Sequence, residues 1–243
     1  MRIEKHINKP QNDYTPIAMI PNLPLSISIT FLAAVAYTYL VTMQASNNHK
    51  AVRWVSLLWL LAIAVPTLYG FFLDTSTAPP RMPILLAPAL IAMLIAFNTQ
   101  KGKAFIDSLD TKLLTWLSLV RIPVEICLFW LFLEGQVPEV MTFEGRNWDI
   151  LAGATAPIVA YFYFNRKTLS KKLFLAWNAI GVLLLVNIIV HAILSVPSPI
   201  QQFGLEQPNK AILHFPFVWL ASYVAPVVLF SHFVIIRRLR KVS

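Results

Sequence analysis

The sequence is poor in cysteine, in charge and in glycine. One cysteine, Cys127, excludes a disulfide within the chain, and its apolar surroundings make a buried, inert thiol the expectation. Charged residues make up 13% of the 243, about half of what a soluble domain carries, while hydrophobic residues reach 57%. Only seven glycines are present. Gly145, Gly153 and Gly181 are too scattered to cradle a phosphate, and Walker, Rossmann and GxSxG patterns are absent. Residues 1–22 lack the short apolar core and small-residue cleavage site of a signal peptide; Pro10, Pro16 and Pro21 suit an extended polar arm.

What is present is hydrophobic length. Mean hydropathy is +0.64, which places the chain in the membrane class. A bilayer-spanning helix needs about 20 mostly apolar residues. Seven stretches qualify: 24–44, 53–73, 82–98, 113–134, 148–165, 173–195 and 215–236, the third being the shortest. The expected architecture is an all-α integral membrane protein with one seven-helix domain over 23–236. A polar N-terminal arm over 1–22 precedes it, and a basic tail over 237–243 follows. No internal repeat of the kind many secondary transporters carry is visible.

The net charge of +9 reads as basic loops facing anionic lipid rather than as a nucleic-acid surface. Apart from Arg121, the basic residues divide unequally between the two sides. Arg2, Lys5, Lys9, Arg81, Arg146 and Lys210 fall on one side. Lys50, Arg53, Lys101, Lys103, Lys112, Arg166, Lys167, Lys171, Lys172, Arg237, Arg238, Arg240 and Lys241 fall on the other. The positive side stays inside, so the N-terminus is expected outside and the C-terminus in the cytoplasm, in a bacterial cytoplasmic membrane.

Against this apolar background the stretch 121–149, RIPVEICLFWLFLEGQVPEVMTFEGRNWD, stands out. Charges inside a membrane-length segment are expensive and mark function or a buried pair. Arg121 and Glu125 are four apart and so share a helix face, with Pro123 between them freeing the carbonyl of Leu119. Glu134, Glu139, Glu144, Arg146, Asn147 and Asp149 follow at the outer end of that span and in the next loop. Asn147 or Asp149 suits the cap of the fifth span.

His191, with Asn187 one turn before it, lies near the outer end of the sixth span, and His214 opens the seventh at similar depth. Two imidazoles with a carboxylate from Glu134, Glu144 or Asp149 would suit zinc or iron, and two imidazoles alone would suit haem. Neither histidine belongs to a spaced metal motif. His6 and His49 lie in polar segments. His232, about 27 Å along the helix from His214, is expected at the inner interface beside Arg237 and Arg238.

In span count and orientation the chain resembles the microbial rhodopsins, but residues 213–236 contain no lysine for a Schiff base, so no retinal is expected. It is similar to membrane hydrolases of the alkaline-ceramidase type in span number alone. The leading expectation is a polar ligand- or metal-binding site open to the outer face, taking a lipid or small amphiphile. Arg121 and Glu125 form its floor, the 144–149 loop its lid, and His191 and His214 its far wall. Two others stand beside it: a proton- or ion-coupled conduit through Glu125, and a non-catalytic sensor or membrane subunit that docks a protein partner through the 135–148 loop.

Overall fold

The structure, a computed structural model, describes residues 19–75 and 81–241. Residues 1–18 of the expected arm, including His6, lie outside the described residues. Among the described residues every regular element is helical, and a single isolated bridge joins Met19 to Phe215. The α-helices are α1 (Leu25–Ala45), α2 (Lys50–Leu68), α3 (Pro83–Asn98), α4 (Gln100–Ser108) and α5 (Thr111–Leu117). They continue with α6 (Arg121–Leu133), α7 (Asp149–Ala160), α8 (Lys171–Leu194) and α9 (Ala225–Lys241).

All seven apolar stretches fall on helix, and five of the helical runs are long and apolar enough to cross a membrane. These are α1, α2, the run Thr111–Leu133, α8 and the run Leu220–Lys241. The count rises to six if α3 is taken with α4, which leaves it at a bend of 94°. The fifth expected span falls short for a structural reason. Its α-helix has 12 residues, continues as the π-helical segment Tyr161–Asn165, and begins deep inside the bundle rather than at its end.

Large apolar side chains point outward from the bundle, among them Leu25 and Ile29 of α1, Leu58 and Leu61 of α2, Leu94 of α3 and Leu183 of α8. Water would penalise so much exposed apolar surface, and a lipid environment would not. Thr111–Leu133 and Leu220–Lys241 are the most buried spans and form the centre of the fold.

Proline marks the irregular points of both central spans. A 3₁₀ turn, Ser118–Val120, precedes α6, and Pro123 sits in the first turn of α6, three residues beyond it. A π-helical segment, Leu220–Val224, precedes Pro226 in α9. Proline at 226 denies Ser222 its helical donor, and the Trp59 indole supplies one instead at 2.8 Å. Trp219 returns a bond from its indole to the Leu60 carbonyl at 3.0 Å, which ties α2 to the same segment.

The basic residues gather at one end of the bundle. Asp110 caps α5 by accepting from Lys112 and Leu113 backbone N–H groups, and Thr99 caps α4 by accepting from Gly102. Arg238 donates to the Leu109 carbonyl at 2.6 Å, and Lys241 pairs with Asp107 at 2.8 Å. Helix α9 therefore runs through Lys241, beyond the expected span limit of 236.

At the opposite end the 134–148 loop turns inward. Val137, Met141, Thr142 and Asn147 are buried, while Glu134, Glu144 and Arg146 stay exposed. Three sets of bonds hold it there. Gln207 donates to the Phe132 and Val137 carbonyls, the Gln136 carbonyl accepts from Lys210 and Ala211, and Asn187 donates to the Arg146 carbonyl at 2.8 Å.

Candidate functional site

Because the loop folds back, α7 starts at mid-depth, and its first residue meets the first residue of α6. Arg121 Nη1 donates to Asp149 Oδ1 at 2.6 Å, and both side chains are almost wholly buried. Arg121 Nη2 donates to the Gly181 carbonyl at 3.2 Å and lies 2.8 Å from His232 Nε2. The tautomer of His232 follows from its other neighbour. Asn178 gives its amide N–H to the Phe174 carbonyl, so its Oδ1 is free to accept, and His232 Nδ1 donates to it at 2.9 Å. That leaves Nε2 as the unprotonated nitrogen, which accepts from the guanidinium.

Glu125 lies on the same helix face as Arg121 but takes a different partner. Both of its carboxylate oxygens accept from Asn147 Nδ2, at 2.6 and 2.7 Å, and the same nitrogen donates to the Met141 carbonyl at 3.0 Å. Asn147 Oδ1 accepts from the Asp149 backbone N–H at 3.2 Å, so one asparagine holds Glu125 and also sets the start of α7. The expected Arg121–Glu125 couple is thus two adjoining pairs, Arg121–Asp149 and Glu125–Asn147.

Two glycines make this packing possible. A Cβ on Gly181 would lie 2.6 Å from His232 Cε1, so only glycine leaves room for the imidazole against α8. A Cβ on Gly153 would press on Ile122 and on the stem of Arg121, at 3.0 and 3.1 Å.

The charged cluster forms part of the wall of a cavity of about 430 Å³. The cavity lies between α3 and α8, backed by Val120–Leu128 and Leu220–Val228, and its walls are overwhelmingly apolar: Leu86, Leu90, Leu128, Leu185, Ile189, Val224 and others. Each lining stretch of α3, α8 and α9 is the half of its helix nearest the 69–82 and 195–219 loops. Asp74, Arg81 and Ser198 therefore mark the loop end, and Arg121, Glu125 and Asp149 mark the deep end. Arg81 pairs with Asp74 at 3.4 Å at that mouth.

The other expected residues take other places. His191 Nδ1 bonds the Asn187 carbonyl, and its ring packs on Phe203, over which the Arg146 guanidinium also lies. His214 Nδ1 bonds the Lys210 carbonyl, and burial holds this imidazole below its ordinary range. Neither histidine lines the cavity. Among the described residues no three or more His, Cys, Asp or Glu side chains are grouped to hold a metal ion, so the zinc or iron reading of His191 and His214 with a carboxylate finds no ligand set. His232, expected at the inner interface, is instead fully buried at the centre. Sequence reasoning missed it, and missed Asn178 and Gly181 as its supports.

The fold and this cluster define a class: a protein helical throughout its described residues, with five or six candidate membrane spans and an ionic network buried at its centre. The chain belongs to the family described as "Domain of unknown function (DUF8737)", whose model matches residues 79–240 and so takes in every residue of the network. No curated protein and no solved structure matches the chain.

Proposed function

We propose that this protein binds a small amphiphile in the α3–α8 cavity, with the polar head on Arg121, Glu125 and Asp149 and the apolar chain against the walls. The surrounding frame in this reading is a seven-span bundle in a bacterial cytoplasmic membrane, N-terminus outside, with the cavity open toward the outer face. One observation carries it: a largely apolar cavity of about 430 Å³ whose only deep polar surface, among the described residues, is this buried ionic cluster. That volume lies within the ordinary range of small-molecule sites, and a mostly apolar lining with a few convergent polar groups is their usual character.

The same geometry favours binding over conduction. Below the cluster His232, Asn178 and Phe174 are fully buried, and the Phe174 ring is stacked on Tyr163 at 4.0 Å and on Trp177 at 6.3 Å. The cavity ends at the cluster. A role without chemistry, as sensor or membrane subunit, is consistent with such a site, and the inward-turned 134–148 loop connects it to the surface.

The test is to extract the protein in mild detergent and analyse co-purifying lipids by mass spectrometry. Ala87 lines the cavity from α3, so Ala87→Phe fills the space without touching the ionic cluster. An amphiphile near one per protein in the native chain, absent from Ala87→Phe, is the expected result. The same lipid content in both proteins overturns the proposal.

A further inference from the structure

The deep end of the cavity holds two carboxyl groups, Glu125 and Asp149, to one guanidinium, and that ratio specifies the head group. Arg121 is committed to Asp149 at 2.6 Å. Glu125 receives only the neutral amide of Asn147. His232 cannot supply a compensating charge through its present bonds, because Asn178 takes its Nδ1 proton and the guanidinium occupies Nε2. Among the residues that line the cavity, the other cation is Arg81, at the far mouth and already beside Asp74. Two carboxyl groups therefore face one guanidinium with all three side chains almost wholly buried, where an unpaired acid gains most from a cation.

We propose that the head group taken by this cavity is a cation, an alkylammonium, seated against Glu125 and Asp149. This rests on the amphiphile reading above and adds its charge. An ammonium brings one positive charge and up to three N–H donors to carboxylates that have unused acceptor capacity. A carboxylate or phosphate head would put a third negative charge beside a guanidinium that already has its acid. One feature favours an acceptor: Arg121 Nε is buried without a hydrogen-bond partner. A single N–H is a weaker term than an unmatched carboxylate, and a small polar group beside the ammonium satisfies it.

The experiment holds the chain constant and varies the head. The full protein in nanodiscs of zwitterionic lipid is titrated near neutral pH with dodecylamine, dodecanol and dodecanoate, with empty nanodiscs as the blank. Dodecylamine is expected to bind at least about tenfold more tightly than dodecanol, and dodecanoate most weakly. Glu125→Gln should bring the amine-to-alcohol ratio toward one. If Glu125→Gln does not fold, the three-ligand series on the native protein decides alone. Equal affinities, or dodecanoate binding tightest, overturn the cation assignment; loss of that binding in Ala87→Phe would then leave the cavity reading standing. Dodecanol matching dodecylamine is also what a proton resting on Glu125 would give. No binding of any of the three above the blank overturns both proposals.

Discussion

Arg121 is the residue on which the centre of the molecule depends, because removing it strands Asp149 as a buried carboxylate with no cation. Arg121→Met should lower stability by about 3–5 kcal/mol, the usual cost of breaking a buried pair from one side. Adding Asp149→Asn should recover part of that loss, whereas exchanging charges as Arg121→Glu with Glu125→Arg should recover none, since Glu125 is not the partner. Unfolding midpoints of the single and double variants give the coupling energy directly. Gly181→Ala should cost about 1–3 kcal/mol by driving a methyl group into the His232 ring. Pairing it with His232→Ala, which vacates the space, should make the two losses less than additive in the same unfolding assay.

At the scale of elements, α4 is held to the end of α9 by charge. Asp107 accepts from Lys241 at 2.8 Å and lies 3.7 Å from Arg237. The hydrogen bond from Lys241, and behind it the positive field of Lys241, Arg237 and Arg238, holds the Asp107 carboxyl below its ordinary value. A depressed acid stabilises the fold fully above its unfolded pKa, near 3.9, and that contribution fades as pH falls through the lower folded value. The native protein should therefore lose stability below about pH 4 more steeply than Asp107→Asn does, by a small margin because the pair is exposed. An equal acid slope for both proteins would remove this contact from the account.

The helices were legible because hydrophobic length alone selects them, and all seven expected stretches are helical. Their ends were less so. The basic run after residue 236 reads as a tail, yet bonds from Arg238 and Lys241 to the α4 end keep it helical, and this shift moves His232 from the expected interface to the middle of the Leu220–Lys241 span. The density of acids, arginine and asparagine in 144–149 did signal that the loop is more than a link. What that pattern does not contain is the fold-back that sends Asn147 and Asp149 inward and leaves Glu144 and Arg146 outside. That choice is made by bonds from distant residues, Gln207 and Asn187, and so has no local trace.

In the proposed orientation of the whole molecule, the basic end of the bundle faces the cytoplasm and the cavity mouth faces outward. Cys127 is buried, so cysteines placed on the surface report alone. An impermeant thiol reagent added to intact cells should label Glu144→Cys and spare Lys101→Cys, and the reverse pattern would invert the bundle. Photolabelling shows whether the α3–α8 cavity receives an amphiphile. A dodecylamine carrying a diazirine on its chain is irradiated with the protein in nanodiscs, and the labelled peptides are sequenced. Label is expected on inward residues such as Leu86, Leu128, Ile189 and Val224, competed away by unlabelled dodecylamine and lost in Ala87→Phe. Label confined to outward residues such as Leu58, Leu94 and Leu183, unchanged by competitor, would show the chain meeting only the lipid-facing surface and would contradict the cavity reading.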